Sequence, residues 1–285
     1  MNRAAEILDY LTRTKDSEMV IIAPMAPPVD RTADGLRIAL TRVLDPSDVA
    51  DTLSTLLAKA SVPGGLAAAG NFSFGIKGVG RFRVTYITQR GSKVVSIARV
   101  RIGVPDIAAL TDQTATMMSI QTLIETTRSG ALLVVGANVR NCGLVVYSIL
   151  QRINHSHRRV IHCVERDLTC LLSHDNSVII QTEVGIDVAT IEEGVRQALP
   201  FSPDILFLGD IRSADDLTGV SVAVESGAFC IASASSMNGD FFLRVAFRND
   251  DTRMRNLADQ IKGMALVKRL PDGKFGISLT SGLPA

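Results

Sequence analysis

From about residue 103 onward, short apolar runs alternate with amphipathic helical patterns, and few folds accommodate that rhythm. ALLVV, RVIHCVE, SVIIQTE, DILFLGD and AFCIASAS read as strands. Between and around them lie the helical patterns TATMMSIQTLIETTRSG, residues 144–153, DVATIEEGVRQAL, SADDLTGVSVAVES and MRNLADQIKGMALVKR. Gly130 closes the first helix and Pro200 stops the third. GVPDIAALTD reads as a connecting segment. Strands and helices in this alternation imply a mostly parallel sheet covered on both faces. Such sheets bind ligands at the carboxyl ends of their strands. Gly136 ends the first strand, so the stretch ALLVVGANVRNCGLVVYSIL sits at that edge and has the outline of a strand, a phosphate loop and a helix.

Residues 1–102 follow another pattern. An amphipathic helix in MNRAAEILDYLTRTKDSE is followed by the strand MVIIAP and a helix in DPSDVADTLSTLLAKA. In RFRVTYI, Phe82, Val84 and Tyr86 alternate with Arg81, Arg83 and Thr85, which marks a half-buried strand. Residues 89–92, Gln-Arg-Gly-Ser, form a hairpin turn into the next strand. This region is expected to be a small α+β domain with an antiparallel sheet.

Lys plus Arg is 30 against 29 Asp plus Glu, so bulk charge does not point to nucleic acid or an anionic membrane. No apolar run reaches the roughly 18 residues of a membrane span, and the start is too polar for a secretory signal. A cytoplasmic location is therefore expected. Cys142, Cys163, Cys170 and Cys230 lack CxxC spacing and read as reduced thiols. His155, His157, His162 and His174 lie near two of them but match no zinc pattern. Alternation also puts His162 and Cys163 on opposite faces of their strand, so no metal is expected.

Several segments together resemble the PilT family, the retraction motors of type IV pili within the wider type II/type IV secretion ATPases. NFSFGIKGVGRFRV is similar to the family's "DFSF…GVGRFRVN", and IIQTEVG to its "NQREVG". VRQALPFSPDILFLGDIRS, the ESG at 225–227 and LVKRLPDGKFGIS follow the family's spacing. The resemblance covers nearly the whole chain. It implies a RecA-like, P-loop-type α/β core at 103–285 behind a PAS-like domain at 1–102, assembled as a hexameric ring that hydrolyses ATP.

The nucleotide motifs depart from that pattern. In the family's GxxxxGK[ST], backbone amides wrap phosphate, the Lys neutralises its charge and the hydroxyl holds Mg²⁺. Gly136 matches the first Gly, but Asn141, Cys142 and Gly143 stand where Gly, Lys and Ser/Thr belong. A Lys ammonium about 4 Å from a phosphate charge is worth roughly 4 kcal/mol at an effective dielectric of 20. Its loss alone weakens ATP binding about a thousandfold. Asn141 tolerates left-handed backbone, so the loop's path is expected to survive. The acidic "EDPIE" box becomes Glu165-Arg-Asp-Leu-Thr169, and "GEMRD" becomes GDIRS, with Asp210 and Ser213 at its acid positions. Ala228 and Ser235 replace the histidines of "GHLVFGTLHT".

The expectation is a non-catalytic PilT-like protein needing neither ATP nor Mg²⁺, with Glu165 and Asp210 as residual acid candidates. It is expected to form a homo-oligomer, a hexamer by the resemblance, or to join an active pilus or secretion ATPase. Inner-membrane platform proteins of the pilus are further partners, and nucleic acid is not one. The alternatives are an active motor that uses Asp210 for Mg²⁺ and a nucleic-acid-binding RecA-like module. Residues 76–105 contain Arg81, Arg83, Arg90, Arg99 and Arg101 but no acid. That segment is read as a subunit contact through Arg81 and Arg83, ahead of the nucleotide contact that the resemblance implies for its arginines, or as a solvated sheet face; nucleic-acid binding is a third option, disfavoured by thin aromatic interleaving. Cys142 is read as a small apolar filler in preference to a thiol activated at a helix N-terminus.

Overall fold

A computed structural model describes residues 3–32, 35–60, 67–168, 170–236 and 251–282, without the side chains of residues 251 and 253–255. The chain divides into two compact units, Met1–Arg101 and Ile102–Ala285. Thr169, read as part of the acidic box, lies outside the described residues. No described helix is long and apolar enough to cross a membrane.

In the first unit the strands β1 (Met19–Ile22), β2 (Val29–Thr32), β3 (Gly35–Ile38), β4 (Gly70–Ile76), β5 (Gly80–Gln89) and β6 (Ser92–Arg99) form one antiparallel sheet. Its order is β3-β2-β1-β6-β5-β4. The helices α1 (Arg3–Arg13) and α2 (Pro46–Lys59) supply Ile7, Leu11, Val49, Leu53 and Leu56 to the core, which they share with Phe72, Phe82, Val84 and Ile97. Asp45 starts α2 by accepting from the Asp48 amide at 2.8 Å, and Asp48 returns the bond to Asp45 N, so each satisfies a backbone donor the helix cannot. Arg90 and Gly91 both have positive φ, 51° and 78°, which gives the β5–β6 hairpin the tight turn expected of residues 89–92. The β2–β3 hairpin was not legible, because VDRT and GLRI are too short and too polar to show a period.

Arg99 is half-buried and not a solvated cation. Its guanidinium lies 4.8 Å from the Phe82 ring and donates to the carbonyls of Leu11, Thr14 (3.0 Å) and Ser17 (3.3 Å). It thus fastens the end of α1 to the sheet. Arg81 and Arg83 lie on the other face of β5 from Phe82 and Val84, and both are half-buried.

The second unit holds the helices α3 (Ile107–Leu110), α4 (Thr114–Thr126), α5 (Val139–Ser156), α6 (Ile191–Ala198), α7 (Ala214–Glu225) and α8 (Asp251–Gln260). Two short strands, β7 (Arg101–Ile102) and β10 (Cys170–Leu171), lie outside the main sheets. The main strands are β8 (Gly130–Gly136), β9 (Val160–Glu165), β11 (Val178–Glu183), β12 (Ile205–Gly209), β13 (Phe229–Ser235), β14 (Ile261–Arg269) and β15 (Phe275–Ser281). They form a seven-stranded sheet in the order β11-β9-β12-β13-β8-β14-β15, parallel except for the β14–β15 pair. One face packs Leu132, Val134, Ile161 and Phe207 against α4 and α5. The other packs Leu133, Val135, Leu206 and Leu208 against α6 and α7. This is the expected mostly parallel α/β sheet with both faces covered.

Four local expectations are corrected. The helix expected over 254–269 ends at Gln260, and Ile261–Arg269 is strand β14. Met264, Ala265 and Val267 are buried there, and the added partner β15 supplies pairing that a periodicity reading cannot foresee. The helix before β8 stops at Thr126, while Gly130 opens the strand with φ of 132°. A Cβ on Gly130 would sit 2.7 Å from Lys262 Cγ, so its glycine serves close approach rather than helix closure. The connecting segment at 103–112 carries α3, capped by Asp106. The fourth correction concerns α5.

Candidate functional site

The helix expected from residue 144 begins at Val139, five residues earlier than the phosphate-loop outline allows. Asn138 is the reason. Its Oδ1 accepts from the Arg140 amide at 2.9 Å, and its carbonyl accepts from the amides of Asn141 (3.1 Å) and Cys142 (3.3 Å). Asn is among the best N-caps, and neither Val139 nor Arg140 resists helix. Only Ala137 and Asn138 remain between strand and helix, so the expected survival of the loop's path is overturned. The amides of Asn141 and Cys142 serve the helix.

Gly136 and Cys142 belong to the core rather than to a cradle. A Cβ on Gly136 would lie 2.5 Å from the Val267 carbonyl of β14 and 3.1 Å from Cys142 Sγ. Cys142 is fully buried, and burial pushes its thiol up to about 12. That is the apolar filler, not an activated nucleophile. Gly143 is buried and Asn141 half-buried.

A cleft enclosing about 280 Å³, part of it open to solvent, lies at the carboxyl ends of β9, β12 and β13. Val139, Arg140, Gly143, Glu165, Asp167, Gly209, Asp210 and Ser233 line it. The structure therefore brings Gly143, Glu165 and Asp210 together, and leaves Gly136, Asn141 and Cys142 outside the lining. Val139, Arg140, Asp167, Gly209 and Ser233 were missed. Gly209 carried the best signal, since it precedes Asp210 at a strand end. A Cβ there would meet Glu165 Cγ at 2.5 Å, so the glycine gives Glu165 its place.

Both residual acids are engaged by their own chain. Glu165 is buried and accepts a hydrogen bond from the Tyr147 hydroxyl. Burial, reinforced by the Glu165 charge, holds the Tyr147 phenol well above its usual range, so Tyr147 stays a donor. Gln181 Nε2 donates to Tyr147 Oη and to the Cys170 carbonyl, both at 2.8 Å. Asp210 has left-handed backbone, φ 66°, and pairs with the Arg212 guanidinium. Its amide donates to Ser233 Oγ at 3.2 Å, and its carbonyl accepts from Arg166 Nε at 3.3 Å. Arg166 also pairs with Asp216 at 2.7 Å.

Ser213, at the acid position of GDIRS, caps α7: its Oγ accepts from the Asp216 amide at 3.2 Å, and Asp216 Oδ2 accepts from Ser213 N at 3.2 Å. Ser235 Oγ donates to the Ala137 carbonyl at 3.2 Å and Ser236 N to the Gly136 carbonyl at 3.0 Å, tying β13 to the short turn. Ala228 is buried beyond the amino end of β13, away from the cleft. A triphosphate with magnesium needs free amides, a lysine and an unpaired carboxylate; the helix holds the first, a cysteine replaces the second and Arg212 occupies Asp210.

His162 and Cys163 do face opposite sides of β9. Cys163 lies in the core under α5, and His162 Nε2 lies 2.7 Å from Thr182 Oγ1 on the other face. No group of three or more His, Cys, Asp or Glu able to hold a metal occurs among the described residues.

Residues 68–237, more than half of the chain, match the family model for "Type II/IV secretion system protein". The type IV pilus ATPase PilU of Pseudomonas aeruginosa is 24% identical over 170 residues, which are 60% of this chain and 43% of that protein. The type IV pilus retraction ATPase PilT of the same organism is 26% identical over 158 residues, 55% of this chain and 44% of that one. The matched segments thus span less than half the length of these relatives. Among solved structures, the pilus retraction motor PilT with bound ADP superposes with a TM-score of 0.76 at 20% identity, covering 98% of this chain and 83% of that one. The ATPase DotB of Legionella pneumophila gives 0.69 at 16% identity, covering 98% and 79%. At these identities the structures establish the fold.

Two substitutions probe this geometry. Cys142→Lys places an ammonium in the core and is expected to cost about 3 kcal/mol or more. Cys142→Ala should cost about 1 kcal/mol. Urea denaturation distinguishes this from an open loop, in which both variants cost little. Burial also lowers His162 from 6.5 to about 4. The unfolded chain then takes up the proton first, so this contribution is complete above pH 6.5, declines as pH falls toward 4 and is gone below it. Between pH 7 and 4 the protein should lose up to about 3 kcal/mol more unfolding free energy than His162→Gln, measured by urea titration at each pH.

Proposed function

Because the chain belongs to the type II/IV secretion system protein family, we propose a role inside such a machine: a non-catalytic structural or regulatory partner of a type IV pilus or type II secretion motor. In this reading residues 103–285 are a RecA-like unit, residues 1–102 are PAS-like, and neither ATP nor Mg²⁺ is required. The observation that carries the reading is the buried Cys142 in an α5 that is capped by Asn138. Lysine, cradle and hydroxyl are replaced together there, and the pairing of Asp210 with Arg212 weighs against the active alternative.

The protein works by assembly, as a homo-oligomeric ring or within a ring of active motor subunits. It acts in the cytoplasm and meets the inner membrane through platform proteins of the machine. Assembly does not require hydrolysis in every subunit, so an interface can persist where a nucleotide site has gone. Arg81 and Arg83 are the interface candidates, on one face of β5 in a segment free of acids.

Steady-state phosphate release from ATP is expected to match buffer controls, and calorimetric titration with ATP and Mg²⁺ to give no binding heat. Turnover near the low end of typical enzymes, about 1 per second, abolished by Asp210→Ala, overturns the reading.

Losing one partner of a buried charged contact costs about 2–5 kcal/mol. Arg81→Ala with Arg83→Ala should therefore shift the assembly measured by light scattering. A protein that stays monomeric at high concentration and captures no catalytically intact homologue rejects the assembly reading.

A further inference from the structure

Within the first unit, β3 ends the six-stranded sheet, and among the described residues no strand pairs with its outer edge. All four of its residues are exposed. Leu36 and Ile38 point to one face and are each 60% exposed. The ribbon continues beyond β2 and β3, because Ala39 N donates to Pro28 O at 2.8 Å and Met25 N to Leu44 O at 2.7 Å. That extension carries Met25 and Val43, 74% and 51% exposed. Four of the exposed large apolar side chains thus lie along one two-stranded ribbon.

Exposed edges are normally blunted by an outward Lys, a proline, a bulge or a covering element, since an unpaired row of N–H and C=O groups recruits another strand. Among the described residues of the first unit, β3 has no such device. Its one charged residue, Arg37, points to the other face, where it is held by Asp16 (2.7 and 3.0 Å) and Asp30 (3.0 and 2.8 Å). Asp30 is fully buried and also accepts from Tyr10 Oη and Ser17 Oγ, both at 2.7 Å. The edge is therefore pre-formed, which lowers the ordering cost of pairing with it. Its surroundings are cationic. Arg31, opposite Leu36, and Arg42 are exposed, and residues 1–101 hold 14 Lys and Arg against 9 Asp and Glu.

We propose that the β3 edge is a docking site for an extended segment of a partner protein, apolar at alternate positions and acidic between them, which adds as a seventh strand. Main-chain bonds supply its affinity, Leu36 and Ile38 receive its apolar side chains, and Arg31 and Arg42 select for acid. This site is independent of the cleft in the second unit, and the reading of that cleft can fail without touching it.

The test is fluorescence anisotropy of a labelled short peptide alternating Val or Ile with Glu, titrated with the full chain. Binding is expected to weaken with salt and to fall at least about tenfold in Leu36→Lys with Ile38→Lys, both exposed changes that leave the melting temperature in place. Hydrogen exchange should slow at residues 35–38 when the peptide is bound. No binding, equal binding by the double variant, or equal binding of a peptide with Lys in place of Glu overturns the proposal. Self-association lost in the double variant assigns the edge to a second copy instead, and capture by phosphatidylglycerol vesicles assigns it to lipid; either also overturns it.

Discussion

The capping of α5 by Asn138 governs the second unit. One asparagine satisfies the Arg140 amide with its side chain and receives two more amides on its carbonyl. Once the helix starts there, every later residue has a fixed direction. Cys142 turns into the core against Gly136, Gly143 faces the cleft, and Tyr147 meets Glu165 one layer deeper. A helix begun later would leave these amides open and swing residue 142 outward. Gly136 holds the arrangement from the strand side, since its missing Cβ lets the β14 backbone close in.

The cleft then balances its own charge. Glu165, Asp167 and Asp210 come together at the strand ends, where three carboxylates repel unless neutralised. Arg212 pairs with Asp210, Arg166 spans Asp210 and Asp216, and Tyr147 donates to Glu165. Glu165 and Asp210 thus each have a partner from the same chain. Arg212 and Arg166 are held by local bonds, so an incoming ligand competes with contacts whose ordering is already complete.

The layered α/β core was legible because its strands are apolar on both faces and its helices are not, a contrast that survives without any partner information. The hairpin at 89–92 was legible too, from one glycine between two alternating runs. The strand at 261–269 was not: its apolar residues fit a helical period as well as a strand's, and only pairing with β15 decides between them. At the site, motif comparison located Glu165 and Asp210 and the absent lysine, but it treated the loop as a shape separable from its residues. Asn138 was the signal that could have corrected this, a strong cap two residues past the strand. Arg140 and Ser233 carried none, since their place in the cleft depends on the helix start and on β13 lying between β12 and β8.

Positions 136, 138 and 142 are coupled, and that coupling sets how far the site can revert. A lysine at 142 gains nothing while Asn138 caps α5, because the side chain starts inside the core. Removing the cap alone exposes amides of a helix that still packs Tyr147, Ile149 and Leu150 beneath it. Residues sharing contacts do not contribute additively, so the effect of changing all three is not the sum of the single changes. In the family's motif, loop, lysine and hydroxyl serve one ligand; at the matching positions of this chain, cap, thiol and glycine serve one core. The two arrangements place different demands on the same backbone positions, and residue 142 cannot meet both while it packs against Gly136.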